Sequence, residues 1–140
     1  MTNYILIDGS YFIFYRIFAL HVWWRNANPE IKLENPFQNE EFVEKYKSTF
    51  NSKIEEIKKK LKIKDAIVYV GKDCRQSEIW RMKLHPKYKA GRNEEKNKEA
   101  NVGNFFALTY KEKLFENAGA DKILGMNHLE ADDCLALTAK

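Results

Sequence analysis

The chain has 140 residues, 44% of them apolar and 31% charged, and its formal net charge is +4 with a pI near 8.9. This length and apolar content are typical of one globular domain, so we expect residues 1–140 to form a single core. Cys74 and Cys134 lie far apart with no CxxC pair, which argues against a zinc knuckle or a secreted disulfide scaffold and favours a reducing compartment. The apolar run from Tyr11 to Leu20 contains Arg16, unlike a signal peptide or a membrane span, so we expect a cytoplasmic protein without membrane contact.

The first segment predicts a strand followed by a helix. Tyr4 to Ile7 are apolar and β-favouring, and Asp8-Gly9-Ser10 supplies a turn and a helix cap. The apolar residues from Tyr11 to Trp24 predict the helix itself. Residues 26–38 hold two of the three prolines, so we expect a surface connection there.

The most regular pattern in the chain predicts a long amphipathic helix after residue 39. Asn39 is a suitable N-cap, the acids Glu40 and Glu41 suit the positive start of the helix dipole, and the lysines at 58–60 suit its negative end. Apolar residues recur at spacings of four and three, as they do on the buried side of a helix. They are Phe42, Tyr46, Phe50, Ile54, Ile57 and Leu61.

The second half of the chain continues the alternation of strands and helices. Ala66 to Val70 predicts a buried strand that Gly71-Lys72-Asp73 ends, whereas residues 75–99 are charged and show no apolar period. The remaining predicted elements are a helix from Val102 to Asn117, a third strand from Lys122 to Leu124 and a last helix from Glu130 to Thr138. Strands that alternate with helices predict an α/β fold, with a parallel sheet flanked by helices.

Acidic residues follow two of the predicted strands and begin the last helix. The carboxyl ends of parallel strands meet at one edge of a sheet, so we expect Asp8, Asp73 and the acids of the last helix to converge there. Glu130, Asp132 and Asp133 crowd one helical turn, and their mutual repulsion needs a nearby positive charge. A hard divalent ion such as Mg²⁺ prefers oxygen ligands and would supply that charge. The alternative is that these acids only stabilise their own helix, by interacting with the positive end of its dipole.

The segment from residue 75 to residue 92 is strongly basic and holds two aromatic residues, Trp80 and Tyr88. Cations neutralise phosphates, and aromatic rings stack on unpaired bases, so this composition favours contact with a nucleic-acid strand. A basic run that only forms a solvated surface is the alternative. The basic residues are Arg75, Arg81, Lys83, Lys87, Lys89 and Arg92, against the single acid Glu78.

Three short motifs stand out, at the end of the first predicted strand, in the basic segment and at the start of the last helix. They are Ile5-Leu6-Ile7-Asp8-Gly9-Ser10, Tyr88-Lys89-Ala90-Gly91-Arg92 and Glu130-Ala131-Asp132-Asp133. In order and spacing they resemble three signatures of the 5′-3′ exonuclease and flap endonuclease family. The stretch from Trp80 to Lys89 further resembles the bacteriophage members, so a phage-encoded origin fits. The resemblance covers nearly the whole chain.

The resemblance implies a PIN-like, or resolvase-like, domain with a basic arch-like segment, and a nuclease that hydrolyses phosphodiester bonds near a 5′ end in replication or repair. Two Mg²⁺ ions, which Mn²⁺ can replace, would promote in-line attack of water. The implied partner is DNA with a 5′ single-stranded end or flap, or an RNA primer paired to DNA. The implied metal ligands are Asp8, Glu130, Asp132 and Asp133, with Asp73 added from its spacing to Trp80.

In the basic segment the resemblance implies roles in catalysis and in strand binding. Lys89 matches the family's lysine beside the scissile phosphate, where it would stabilise developing negative charge with help from Arg92. Tyr88 would stack on a frayed base, and residues 75–104 would form an arch around the 5′ strand. The further strand-binding residues are Arg75, Trp80, Arg81, Lys83 and Lys87.

The chain departs from the family pattern at its C-terminal end. Family members continue to a strand with two more metal aspartates and to a helix-three-turn-helix element that grips duplex DNA. We therefore expect an incomplete site: the chain is a fragment, or a second polypeptide completes it as a C-terminal partner, or activity has been lost. A catalytically incomplete nucleic-acid-binding module is the main alternative function, and a PIN-type ribonuclease is a further one.

Overall fold

The computed structural model of the protein describes residues 2–74, 78–89, 98 and 100–140. Three strands and six α-helices are found in this part of the chain, together with one 3-10 turn. In chain order they are β1 (Tyr4–Asp8), α1 (Gly9–Ala27), the 3-10 turn (Pro36–Gln38), α2 (Glu40–Lys60), β2 (Ile67–Gly71), α3 (Trp80–Leu84), α4 (Val102–Lys111), α5 (Leu114–Asn117), β3 (Lys122–Leu124) and α6 (Ala131–Ala139).

The three strands form one parallel sheet in the order β1-β2-β3. In the register of the sheet, Asp8 pairs with Gly71, and Gly71 pairs with Leu124. The predicted α/β class, with a parallel sheet flanked by helices, is therefore confirmed for the described chain. All three strands end at the same edge of the sheet, which is where parallel α/β folds place their functional groups.

Helix α1 begins directly where β1 ends. Asp8 is the last residue of the strand and also the N-cap of the helix, since its Oδ1 accepts a hydrogen bond of 3.2 Å from the backbone N–H of Tyr11. The helix starts at Gly9, earlier than predicted, and runs to Ala27. One side chain therefore closes the strand and starts the helix, which fixes the position of the Asp8 carboxylate.

Helix α2 confirms the amphipathic helix predicted after residue 39. The side chain of Asn39 caps it by accepting from the backbone N–H of Phe42 at 3.1 Å. Four of the predicted core residues have no exposed surface; they are Phe42, Tyr46, Phe50 and Ile54. The inclusion of Leu61 in that apolar face was wrong, because this residue follows the last turn and is 56% exposed.

The single helix predicted from Val102 to Asn117 is wrong, because the chain turns between α4 and α5. Lys113 has a positive φ of 54°, which ends the regular helix geometry although the apolar period continues in the sequence. Helix α4 buries Val102, Phe105 and Thr109, and the Thr109 hydroxyl lies 2.7 Å from the hydroxyl of the buried Tyr46. The turn lets both α4 and α5 pack into the core formed by α1 and α2.

Helix α6 covers the face of the sheet opposite the main core. Side chains alternate along a strand, so Gly71 faces away from Val70, which is fully buried in the core. A Cβ atom on Gly71 would lie 2.8 Å from the carbonyl oxygen of Ala131 and 2.9 Å from Cγ of Leu135. The absence of a side chain at this position therefore lets α6 approach the sheet edge closely.

Helix α3 is a short helix in the segment for which the sequence showed no apolar period. It is anchored at its start, because Ile79 is buried and the backbone N–H of Trp80 donates to the carbonyl oxygen of His128 at 2.9 Å. Within the described chain, none of the helices is both long and apolar enough to cross a membrane.

We expect Gly71→Ala to lower the free energy of unfolding by about 1–3 kcal/mol, because the new methyl group must displace α6 or the strand. Gly103→Ala is the matched control, since Gly103 lies in α4 with open space around its Cα. It should raise the stability by up to about 1 kcal/mol, the difference in helix propensity between glycine and alanine. Urea unfolding of both variants gives the two values, and equal effects would contradict the close packing of α6.

Candidate metal centre

The carboxylate of Asp73 connects the three segments that end or begin at the sheet edge. Its Oδ1 accepts from the backbone N–H of Ala131 at 2.5 Å, and its Oδ2 accepts from the hydroxyl of Ser10. Ser10 lies in the first turn of α1, Asp73 follows β2, and Ala131 begins α6. The convergence that the sequence predicted for these segments is therefore present.

An acidic cluster lies at the start of α6, next to Asp73. Glu130, Asp132 and Asp133 each offer one carboxylate oxygen, and these three atoms lie within 4.8 Å of one another. Glu130 is only 3% exposed, Asp133 is half-buried and Asp132 is exposed. A group of this kind could hold a metal ion. Asp8 and Asp73 are not members of this group in the part of the chain that the structure describes.

Arg81 of α3 binds two of these acids at once. Its Nη1 donates to Oε2 of Glu130 at 2.6 Å and to Oδ2 of Asp133 at 2.8 Å, and its Nη2 donates to Oδ1 of Asp133 at 2.7 Å. The indole N–H of Trp80 adds a bond of 3.2 Å to Oδ2 of Asp133. Because a guanidinium group holds two donors in a fixed plane, this bidentate contact is strong and directional.

Lys89 and Tyr88 reach the same acids from the other end of the described basic segment. The ammonium group of Lys89 lies 2.6 Å from Oε1 of Glu130, and the hydroxyl of Tyr88 donates to Oε2 of Glu130 at 3.1 Å. Lys89 has a positive φ of 59°, a backbone conformation that non-glycine residues seldom adopt. The protein itself thus supplies positive charge that the sequence had assigned to a divalent ion.

The contact with Arg81 changes the acidity of both partners. Its hydrogen bonds hold the pKa of Asp133 at about 2, against an ordinary value of 3.8, because they stabilise the ionised carboxylate. The same bonds raise the pKa of Arg81. Asp133 therefore stays ionised throughout the physiological range.

The other residues predicted for strand binding lie around this centre. Lys83 and Lys87 are exposed, and Trp80 is 39% exposed, although its N–H faces Asp133. Arg75 and Arg92, predicted for strand binding and for catalysis, lie outside the described residues. The sulfur atoms next to the predicted acids are thiols: Cys74 is half-buried and Cys134 buried, and burial raises the pKa of both.

Besides the pairing of Arg81 with Glu130 and Asp133, sequence reasoning missed two features of the centre. The first is the hydroxyl of Ser10, which binds Asp73; its position two residues after Asp8 was the available signal. The second is Lys72, whose ammonium group lies 4.4 Å from the centroid of the Tyr110 ring. Tyr110 lies beside the start of α1, so Lys72 adds a further cation at this sheet edge.

Comparison with protein-family models, with curated proteins and with solved structures finds no match to this chain. The kind of protein must therefore be described from the fold and the site of this chain. The described chain is an α/β domain with a three-stranded parallel sheet, and an acidic cluster that could hold a metal ion lies at the carboxyl edge of that sheet.

We expect the stabilisation by Asp133 to disappear in acid. A lowered folded-state pKa means that the stabilisation is fully present above about pH 4 and is lost as the pH falls towards 2. The difference in free energy of unfolding between the wild type and Asp133→Asn, measured by urea unfolding in EDTA, should shrink over that range. In an Arg81→Met background the same difference should be smaller and should depend less on pH, because the bonds to Asp133 from Trp80 and from the Glu130 N–H remain. A pH-independent difference in the wild-type background would contradict the assignment.

Proposed function

We propose that this chain is the PIN-like, or resolvase-like, domain of a metal-dependent 5′ nuclease that hydrolyses phosphodiester bonds near a 5′ end of DNA or of an RNA primer. Hydrolysis of a phosphodiester needs carboxylates that hold a cation and basic groups that bind the phosphate. Both kinds of group are present here at one edge of a parallel sheet. The proposal also accounts for the order of the three sequence motifs.

The observation that carries the proposal is the direct contact between the basic segment and the acidic helix. The ammonium group of Lys89 lies 2.6 Å from the carboxylate of Glu130, although the two residues are 41 positions apart in the chain. A phosphate at this point would be within reach of the lysine and of any ion bound by the acids. A basic run that only forms a solvated surface does not explain this contact.

The donor set fits a hard divalent ion such as Mg²⁺ or Mn²⁺. Glu130, Asp132 and Asp133 offer only oxygen ligands, and Glu130 is almost fully buried. Asp8 and Asp73 lie at the same edge and extend the set of oxygens, as a site for two ions requires. Each oxygen of Asp73 accepts one hydrogen bond, from Ser10 or from Ala131, and keeps a second lone pair that can bind an ion.

The chain's own residues then have distinct roles. Lys89 and Arg81 bind the non-bridging oxygens of the phosphate and stabilise its negative charge. The partly exposed rings of Trp80 and Tyr88 stack on unpaired bases beside it. Asp73 links the starts of α1 and α6, so that Asp8 and the acids of α6 lie at the same sheet edge, where the phosphate would bind. A bound ion supplies Lewis-acid activation of the phosphate and of a water molecule.

A second candidate is a module that binds a nucleic-acid strand without cutting it. It is favoured by the donors already bound to two of the acids: each carboxylate oxygen of Glu130 and of Asp133 accepts at least one hydrogen bond from Trp80, Arg81, Tyr88 or Lys89. If these contacts persist when a strand binds, the positive groups of Arg81 and Lys89 stay beside Glu130 and Asp133 and repel a divalent ion. Such a module would show salt-sensitive binding and no turnover.

Cleavage of a 5′-labelled flap duplex tests the proposal. We expect products in Mg²⁺ or Mn²⁺ and none in EDTA, and a rate at least about 10-fold lower for Asp8→Asn. Asparagine keeps the cap on α1, because its amide oxygen can still accept from the N–H of Tyr11, while the charge is lost. Asp65→Asn removes an exposed acid before β2 and is the matched control, with an unchanged rate.

The outcomes separate the candidates. Cleavage that survives EDTA or Asp8→Asn contradicts the proposed site. Binding of the flap duplex without cleavage in any divalent ion supports the non-cutting module or a nuclease half that a C-terminal partner completes. Preferential cleavage of single-stranded RNA over the DNA flap would favour a ribonuclease with the same acids.

A further inference from the structure

We infer that Arg81 and Lys89 act as a removable counter-charge for the acidic cluster, so that a divalent ion and a nucleic-acid phosphate bind this centre cooperatively. The inference rests on the proposed function and adds its regulation. In the absence of both ligands the two cations occupy the carboxylates. When both ligands are present, Arg81 and Lys89 bind the phosphate, and the carboxylates bind the divalent ion.

The carboxylate oxygens show why the two arrangements exclude each other. Oε2 of Glu130 accepts from Arg81 and Tyr88, and Oδ2 of Asp133 accepts from Arg81, Trp80 and the backbone N–H of Glu130. A carboxylate oxygen has only two lone-pair positions. An ion that uses these oxygens must therefore displace donors, and all of these donors except the backbone N–H of Glu130 belong to the basic segment.

The charges lead to the same result. The guanidinium group of Arg81 and the ammonium group of Lys89 lie within 2.6–2.8 Å of the oxygens of Glu130 and Asp133. A divalent ion bound to the same oxygens would lie next to two positive groups, in a place where Glu130 is shielded from water. Like charges in a partly desolvated site repel strongly, so occupation by the ion and by the cations is mutually exclusive.

A phosphate group provides the alternative partner for both cations. The planar fork of arginine fits two phosphate oxygens as well as it fits a carboxylate, and lysine binds phosphate as a point charge. A phosphate that attracts Arg81 and Lys89 frees the acids for the ion. By thermodynamic linkage, the ion must then increase the affinity for the phosphate by the same factor.

The release of Arg81 needs movement of its side chain only. Helix α3 is held at its start by the buried Ile79 and by the bond from the N–H of Trp80 to the carbonyl oxygen of His128. The imidazole of His128 is also within 2.8 Å of the carbonyl oxygen of Glu78. Neither bond involves the acids, so α3 can stay in place while Arg81 changes partner.

Two binding measurements on the full chain test the inference. The first is the affinity for Mn²⁺ alone, followed by electron paramagnetic resonance. We expect Arg81→Met to bind Mn²⁺ about 10-fold more tightly than the wild type, within the usual range of such couplings. Lys83→Met is the matched control: it removes one exposed positive charge from the same helix, and Lys83 is not among the donors to these acids in the described chain. Arg81→Gln provides a second variant with a polar side chain.

The second measurement is the affinity for a 5′-phosphorylated single DNA strand of about 12 nucleotides, followed by fluorescence anisotropy at fixed ionic strength. Divalent ions ordinarily weaken such binding by screening. We expect Ca²⁺ to strengthen it about 5-fold or more in the wild type and to lose this effect in both Arg81 variants. Because screening alone would weaken strand binding, a strengthening by Ca²⁺ identifies the cooperative binding of ion and phosphate.

The outcomes distinguish this inference from the proposed function. If the wild type binds Mn²⁺ and the strand, but Ca²⁺ weakens strand binding and Arg81→Met gains no more Mn²⁺ affinity than Lys83→Met, only the counter-charge exchange is overturned. If the wild type and both Arg81 variants bind neither Mn²⁺ nor the strand, the proposed function is overturned with it. Thermal unfolding of each variant confirms that the compared proteins are folded.

Discussion

The hydrogen bonds to the carboxylate of Asp73 are the contact on which the geometry of the centre depends. They join Ser10, at the start of α1, to Ala131, at the start of α6, across the end of β2. A parallel sheet brings strand ends to one edge, but it does not fix how the following helices are oriented there. Asp73 fixes that orientation, and the lack of a side chain at Gly71 allows the required close approach of α6. The acids of α6 are therefore held next to the end of β1.

The second determinant of the centre is the balance of charge across it. Three acids at the start of one helix interact favourably with the helix dipole but repel one another. Glu130 is also buried, which makes an unpaired charge there costly. Arg81 and Lys89 relieve this repulsion from a part of the chain that is distant in sequence. The same two cations are the groups that a phosphate attracts. Under the proposed function, the stability of the free protein and the binding of a phosphate and an ion depend on one set of side chains, which is the physical basis of the cooperativity proposed above.

The sequence predicted those features that depend on local patterns or on general sheet geometry. The apolar period from Phe42 to Ile54 identified α2, and the alternation of elements predicted both the parallel sheet and the convergence of acids at its edge. The break at Lys113 was missed because a lysine with positive φ leaves no signal in an apolar period that continues past it. The pairing of Arg81 with Glu130 and Asp133 was missed because it depends on how residues 78–89 fold back onto α6. Opposite charges far apart in sequence do not specify which of them meet.

Acids from three segments are proposed to share one ion-binding site. Titration with substoichiometric Mn²⁺, followed by loss of intensity of backbone amide signals in NMR spectra, tests it most directly. The amides of Gly9, Asp73 and Ala131 should broaden together and before those of Asp65 and Asp121, which lie near the opposite edge of the sheet. Broadening confined to α6, or broadening of Asp65 and Asp121 first, would contradict a shared site.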